Sequence, residues 1–515
     1  MILDRVIEWL FPWRWLGVAA VLFWGFTMSS LVEKKGNKLK DEDVEELYPW
    51  AIQRKPQEGD EWMGLYVKGR KIGYTHSRTS AKGKGFLIES STRMWMKLFN
   101  TQQRISTVSK VEVDDHYRMK KFTFRMKSPL STFLAKGYVW RDRLFVTILI
   151  GKNKRQYQVP YRPSLLASAL RPYIASKKPP PGRKIRALLF DPQSMSYQKA
   201  LILVEGYELL TVMGKKVKAL RIRQRYKGTL LHAWLDENGK VLKERSSAGM
   251  MLIRETVSKA TSGQKRALDI IRATRVNFQG SISNPKTRPQ LQLQLANIRF
   301  QDFPDLKNGR QHLSKKGLLT ITRVDWSTLR PLPFSLKDKA PEKKKLSANL
   351  RKALKADHLV QSHHKKVRAL AEKITANATN RAEAIKALHL WLLKNIKKRS
   401  VVGLPSALET MRKRIGDCNE HATLLAALSR SVHIPCHIVS GLAFLRGQFY
   451  FHAWNECQIG KKQWVTVDST WGQLPADATH INFVRGGLSQ QMALMQLMNK
   501  LRIRVVSKRR RPNQR

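Results

Sequence analysis

The chain is 515 residues long, 42% hydrophobic and 26% charged, with 96 Lys and Arg against 38 Asp and Glu, a formal net charge of +58. That apolar share supports packed cores and excludes wholesale disorder, and a length prior of about 150 residues per domain allows two to four domains. Three cysteines exclude a disulfide-dense scaffold and any multi-cysteine zinc module. Neither HExxH nor a Walker-type loop is present, and Gly83-Lys84-Gly85 lacks the third glycine of a nucleotide loop. A chain this basic should adhere to polyanions such as phospholipid, acidic wall polymer or nucleic acid. Its basic residues are spread along the whole length, however, which is the pattern of solvated faces.

In chain order, Trp15 to Val32 (WLGVAAVLFWGFTMSSLV) is an uncharged apolar run. Its length suits a membrane span better than the shorter core of a cleaved signal peptide. Trp13, Trp15 and Trp24 are placed to anchor it at the interfaces, and Lys34 to Glu46 reads as a linker.

From Glu61 to about Lys259 the chain reads as mostly β. Met63 to Val67 and Lys71 to His76 flank a Lys68-Gly69-Arg70 turn, and strand-like runs follow at Phe86 to Met96, Arg104 to Val113, Met119 to Met126 and Leu144 to Leu149. Further runs are Leu201 to Leu210, Val217 to Tyr226 and Leu230 to Leu235, with one short helix at Pro163 to Leu170. Many strands and few helices predict an open, curved sheet or a sandwich. Gln290 to Phe300 opens with the alternation of a half-buried strand, and Leu318 to Val324 is another candidate. Ala340 to Lys345 reads as a linker into a helical stretch with apolar spacing at Lys365 to Thr375 and Ala382 to Ile396. Pro405 precedes a short helix at Ser406 to Arg412. Leu488 to Asn499 reads as a last helix, Arg502 to Val506 as a strand and Lys508 to Arg511 as a basic tail. His358, His363 and His364 read as solvent-facing helix residues and not as metal ligands.

Chemistry concentrates between Gly416 and Gly472. Ala422 to Val432 is apolar at helical spacing, so Cys418 falls in the first turn of a helix. Exposed N–H groups and the helix dipole there favour a thiolate. His437 to Phe444 and Phe449 to Ile459 read as strands joined at Arg446-Gly447, and a second turn near Gly460 folds Gln463 to Val467 back antiparallel. That register sets His452 opposite Asp468 to within one residue. A carboxylate beside an imidazole fixes its tautomer and stabilises its charged form, as nucleophilic catalysis requires. Glu420 and His421 fit structural roles at the helix start. Pairing Leu445 with Gln448 makes Cys436 and Cys457 cross-strand neighbours in a non-hydrogen-bonded pair, close enough for a disulfide if the domain meets an oxidising compartment.

The motifs Gly416-Asp417-Cys418, His452-Ala453-Trp454 and Val467-Asp468-Ser469-Thr470 resemble the transglutaminase-like superfamily, over roughly Ser347 to Gly487. That resemblance implies a papain-like Cys-His-Asp core with Cys418 as nucleophile, His452 as general base and acid, and Asp468 as the orienting carboxylate. It implies thiol-dependent acyl transfer on amide bonds of a protein or peptide substrate, as a transglutaminase-like acyltransferase or a peptidase or amidase, with no cofactor and no metal. The rival expectation is a non-catalytic envelope protein that binds anionic surfaces through a basic β domain. No recognition helix, zinc finger or aromatic RNA-reading signature appears, so no specific nucleic acid is expected. Bacterial relatives with an N-terminal hydrophobic segment are typically exported, which implies a single-pass inner-membrane protein with a periplasmic catalytic domain. The positive-inside rule opposes this, since Lys34, Lys35, Lys38 and Lys40 follow the span and only Arg5 and Arg14 precede it. The expected class is therefore α+β: an N-terminal transmembrane helix, a large mostly antiparallel β domain and a C-terminal transglutaminase-like (papain-like) domain. The expected segments are 1–40 (anchor and linker), 41–260 (β-rich), 261–345 (additional β region), 346–487 (catalytic) and 488–515 (C-terminal extension).

Overall fold

The computed structural model describes residues 44–506 apart from 48–54, 68, 99–100, 129–131, 152, 163–166, 192–195, 227–228, 247–248, 264–267, 270–275, 339–340, 343, 345, 400–404, 488–490 and parts of 492–499. These residues fall into two compact units, one ending at Ala273 and one beginning at Thr274.

In the N-terminal unit, period-two sequences lie side by side in one sixteen-stranded sheet. Hairpins follow one another from Gly59–Val67 to Asn153–Pro160, and again from Lys184–Asp191 to Met250–Arg254. The two series join where Met250–Arg254 pairs antiparallel with Gly59–Val67. Alternation decides which face is buried. In Arg143–Ile150, Leu144, Val146, Ile148 and Ile150 point inward while the residues between them stay partly exposed. Gly137 stands opposite Phe122 in the ladder. A Cβ at that glycine would come within 2.3 Å of the Phe122 ring, so the missing side chain makes room for the aromatic one. Helix Ala167–Ser176 sets Leu170 and Ile174 in one core with Ile185, Ile202 and Ile222.

The C-terminal unit carries a four-stranded antiparallel sheet in the order Trp464–Val467, Gln448–Gln458, Cys436–Leu445, Ile481–Arg485. Helices Ala348–Leu354, Lys365–Thr375, Arg381–Asn395, Ala407–Lys413 and Cys418–Ser431 precede or pack on it. Every residue of Cys418–Ser431 is buried, so this helix is the centre of the unit. Leu424, Leu425 and Leu428 share a core with Ile385, Leu388 and Leu392 on one side and Ile434, Ile438 and Val465 on the other. A second sheet of five strands draws on both ends of the unit, in the order Asn277–Gln279, Arg502–Val505, Gln290–Ala296, Leu318–Thr322, Gln311–Leu313.

Two expectations need correction, and others fall outside the described residues. The α+β class does not hold, because strands make up 48% of the structure and helices 20%, a mostly β chain. No described helix is long and apolar enough to cross a membrane. The longest α-helix among the elements above, Arg381–Asn395, has 15 residues, short of the roughly 20 a bilayer core requires. The run from Trp15 to Val32, the Lys508 to Arg511 tail and most of Leu488 to Asn499 lie outside the described residues. Finally, His358 and His363 are not on a helix. His364 is the cap of Lys365–Thr375, its Nδ1 accepting the Lys366 N–H at 3.2 Å.

The hairpin register is as expected from the sequence. Leu445 pairs with Gln448 and Cys436 with Cys457, and Arg446 and Gly447 take the positive φ values of 46° and 81° that a tight hairpin turn requires. The two sulfurs lie 2.6 Å apart and fully buried. Treatment of the folded protein with a thiol oxidant such as diamide should link Cys436 to Cys457 and no other pair. Peptide mapping that found both as free thiols after prolonged oxidation would refute this.

Candidate active site

Asp417 caps the central helix. Its side chain accepts the Asn419 N–H at 3.1 Å, and Glu420 reaches back to accept the Asp417 N–H at 3.1 Å, a reciprocal capping box. Gly416 permits this turn, because a Cβ there would lie 2.4 Å from Glu420 Cβ. His421 donates from Nδ1 to the Asp417 carbonyl at 2.6 Å. Glu420 and His421 are therefore engaged in building the helix start that presents Cys418. Two contacts dock the helix on the sheet. Asn455 Nδ2 donates to the Ala422 carbonyl at 2.9 Å, and Arg430 donates through Nε and Nη2 to the Cys436 carbonyl at 2.9 and 2.7 Å. The backbone N–H of Ala453, the residue after His452, acts on the Cys418 thiol in the sense that favours its ionised form.

The electrostatics of Cys418 differ from the sequence expectation. Burial, then the Asp417 carboxylate, push the thiol well above its usual range, with Glu420 and Asp468 acting in the same sense. The Ala453 N–H opposes them without prevailing. The carboxylates that cap the helix thus counteract the dipole that favours a thiolate.

His452 and Asp468 meet, by a route the sequence did not show. The ladder between Gln448–Gln458 and Trp464–Val467 ends at Asn455 opposite Val467. One further step would set Asp468 opposite Trp454, so His452 is a diagonal neighbour on the same face. Asp468 has already left the ladder, exchanging backbone hydrogen bonds with Gln473 at 2.9 and 3.0 Å. That turn carries its carboxylate to 2.9 Å from His452 Nε2. Trp471 stacks on the imidazole with centroids 4.1 Å apart and planes 18° apart. Opposite His452 in the neighbouring strand is Gly441, where a Cβ would strike the Ile481 carbonyl at 1.9 Å.

The structure adds two residues that sequence reasoning missed. Asp468 Oδ2 also accepts an N–H from His480 Nε2 at 3.1 Å, while His480 Nδ1 faces Asp477 Oδ1 at 3.1 Å. Burial acts to raise the Asp468 carboxyl, but the His452 and His480 imidazoles outweigh it and hold it well below the usual range. Asp477 is likewise held down, chiefly by His480, against its own burial. His480 is pushed up to about 9, since Asp477 and Asp468 overcome the desolvation of its ring. Arg310 closes the back of the cluster, donating to the Asp477 and His480 carbonyls at 2.7 and 2.6 Å. The only sequence signal is an Asp477-Ala478-Thr479-His480 run that begins nine residues after Asp468. His452, Asp468 and His480 bring one possible ligand atom each within 4.8 Å of one another, as a metal ion would need. Here imidazole N–H groups directed at one carboxylate oxygen account for the convergence. Beside Cys418 and His452, the Asn419 amide, His421 Nε2 and Trp454 Nε1 are buried with no partner.

The sequence profile of the transglutaminase-like superfamily matches residues 368–469, a segment that contains Cys418, His452 and Asp468 and ends one residue after the last of these. No curated protein sequence matches the chain. Among solved structures, the chain is similar to a candidate cysteine protease from Cytophaga hutchinsonii at 19% identity, covering 42% of this chain and 83% of that one, with a TM-score of 0.28. It is also similar to a β-barrel-like protein of a domain of unknown function from Brucella abortus at 12% identity, covering 38% of this chain and 95% of that one, with a TM-score of 0.31.

The buried histidines set how stability follows pH. His480 is raised in the folded state, so its contribution is complete below about pH 6.5 and is lost as pH climbs through about 9. His389 and His421 are lowered to about 4 by burial, so the unfolded chain gains protons first and stability falls as pH drops from about 6.5 towards 4. The C-terminal unit should therefore be most stable near neutral pH. Asp477→Asn should reduce the loss between pH 6.5 and 9, read by urea denaturation across that range. An unfolding free energy that stays flat from pH 6.5 to 9 in the wild type would contradict the assignment.

Proposed function

We propose that the C-terminal unit is a thiol enzyme that transfers acyl groups from amide carbonyls, with Cys418 as nucleophile, His452 as general base and acid, and Asp468 as the carboxylate that orients it. One observation carries the reading: Asp468 engages Nε2 of a buried His452, so Nδ1 is the ring nitrogen left to serve a thiol, and the backbone of the next residue, Ala453, acts on Cys418. In this scheme His452 takes the Cys418 proton and the sulfur adds to the amide carbonyl. Collapse of the adduct breaks the C–N bond, and the proton passes from His452 to the departing amine. The remaining thioester goes to an acceptor. Water returns an acid, as in a peptidase, amidase or deamidase, and a primary amine gives a new amide, as in a transglutaminase. Because Asp417 already holds the Asn419 N–H, the Cys418 N–H is the helix-start donor left for the developing oxyanion.

Cys418 is only 1% exposed, which is the observation on the side of the rival, non-catalytic reading. The unpartnered amide of Asn419 and indole N–H of Trp454 weigh against that rival, since a purely structural core leaves few such groups unsatisfied.

Incubation of the full chain with glutamine-containing peptides, with and without an added primary amine, separates the outcomes by product mass. A gain of one mass unit marks deamidation, a larger gain marks amine incorporation, and chain cleavage marks a peptidase. Cys418→Ala should reduce whichever activity is present by roughly a thousandfold or more. Full activity in that variant would remove the proposal.

A further inference from the structure

We propose that His480 is a buried imidazolium that serves as a positioning residue. It fixes the Asp468 carboxylate against His452 and sets the pH window in which the Cys418–His452 pair works. The inference rests on the reading just given for Cys418, His452 and Asp468.

The charge of His480 follows from counting donors. Asp468 Oδ1 accepts the N–H groups of Thr470 and Trp471 at 2.9 and 3.0 Å, and its Oδ2 accepts from His452 and His480. Asp477 Oδ1 accepts the Thr479 N–H at 2.8 Å and the Thr479 hydroxyl, and its Oδ2 accepts from Gln473 Nε2 at 2.9 Å. Donors meet all four oxygens, which favours the ionised form of both carboxyls, and both are held below the usual carboxylate range. Each nitrogen of His480 faces one of these ionised oxygens, so each must carry a hydrogen. Only the doubly protonated ring meets that condition. The cluster facing His452 therefore sums two carboxylates and one imidazolium, a net charge of minus one.

Loss of the imidazolium would leave minus two. A more negative surrounding raises the proton affinity of both members of a thiol–imidazole pair. It delays formation of the thiolate and delays deprotonation of the imidazolium, so both limbs of a pH profile move up. The other charged and titratable groups around the cluster stay in place. Arg310 remains on the backbone carbonyls of Asp477 and His480, with Glu456 acting on it. His389 faces Ser469, and His421 sits behind Cys418, with Lys398 acting on both. Asp417 and Glu420 stay at the helix cap. A displaced profile is therefore assignable to His480.

The test is the rate of Cys418 alkylation by iodoacetamide against pH in the full-length protein. Peptide mass mapping separates Cys418 from Cys436 and Cys457, and thermal unfolding shows that each variant is folded. Wild-type protein that labels like a free cysteine, with or without His452, would overturn the proposed function itself. Given His452-dependent labelling, His480→Gln should move both inflections up by about one pH unit and slow labelling near pH 6 about tenfold. Asp477→Asn keeps the imidazolium at acid pH and removes one carboxylate, so it should move the acid inflection down. Opposite displacements support the proposal, and either one alone supports it if the other variant does not fold. Inflections that stay in place in the folded variants, whatever the loss of amplitude, would overturn it.

Discussion

The C-terminal unit depends on one buried carboxylate. Asp468 is wholly excluded from solvent, and an ionised carboxylate there is tolerated only when its oxygens are met by donors. Four N–H groups do so, two from the backbone of the turn that follows it and two from imidazoles. The turn from Asp468 to Gln473, the diagonal approach to His452 and the placement of His480 all follow from that requirement. Removing any one donor would leave the charge less compensated and loosen the others, which is why the cluster is best regarded as a single network.

The second constraint is the docking of Cys418–Ser431 on the sheet. A helix buried on every side cannot be held by an amphipathic stripe alone, and here backbone carbonyls at two heights accept from the side chains of Asn455 and Arg430. These bonds fix the helix along its axis, so the first turn arrives beside Ala453 in a set register. The same cap that fixes the helix start also places carboxylates next to the thiol. The thiol is therefore kept neutral first by burial and then by the neighbouring carboxylates.

Much of this was legible because it is local. The Arg446-Gly447 turn sets the register of a long hairpin, and that register alone places Cys436 against Cys457 and Gly441 against His452. Helix Lys365–Thr375 could be read from apolar spacing, and the caps at Asn380, Ser406 and Asp417 begin the others. What could not be read is non-local or irregular. Asp477 and His480 lie in a loop with no periodicity, where nothing distinguishes a buried polar residue from a solvated one. Arg502–Val505 was visible as a strand, but its pairing with Asn277–Gln279 and Gln290–Ala296 spans some two hundred residues and leaves no trace in either segment. Strands such as Thr132–Trp140 were missed because Gly137 takes an inward position where alternation calls for an apolar side chain, a space that the Phe122 ring opposite it fills.

The positive charge has a physical place in the same pattern. In Met119–Lys127 the buried positions are Met119, Phe122, Phe124 and Met126, and the exposed ones are Lys120, Lys121, Arg125 and Lys127. Alternation thus sorts the excess of Lys and Arg onto the open side of the sheet as a by-product of burying the apolar side. A few cross-strand carboxylates answer it, as in Lys82 with Glu112 and Lys110 with Glu89, but these pairs are largely exposed and contribute little to stability. Around Asp468 the sorting is reversed. Buried there are two carboxylates, a charged imidazole and the guanidinium of Arg310, each tied to specific partners. Charge on the sheet is interchangeable and screened by salt, whereas charge in the cluster is fixed in number and position. Of the two, only the second can govern the protonation of a particular thiol.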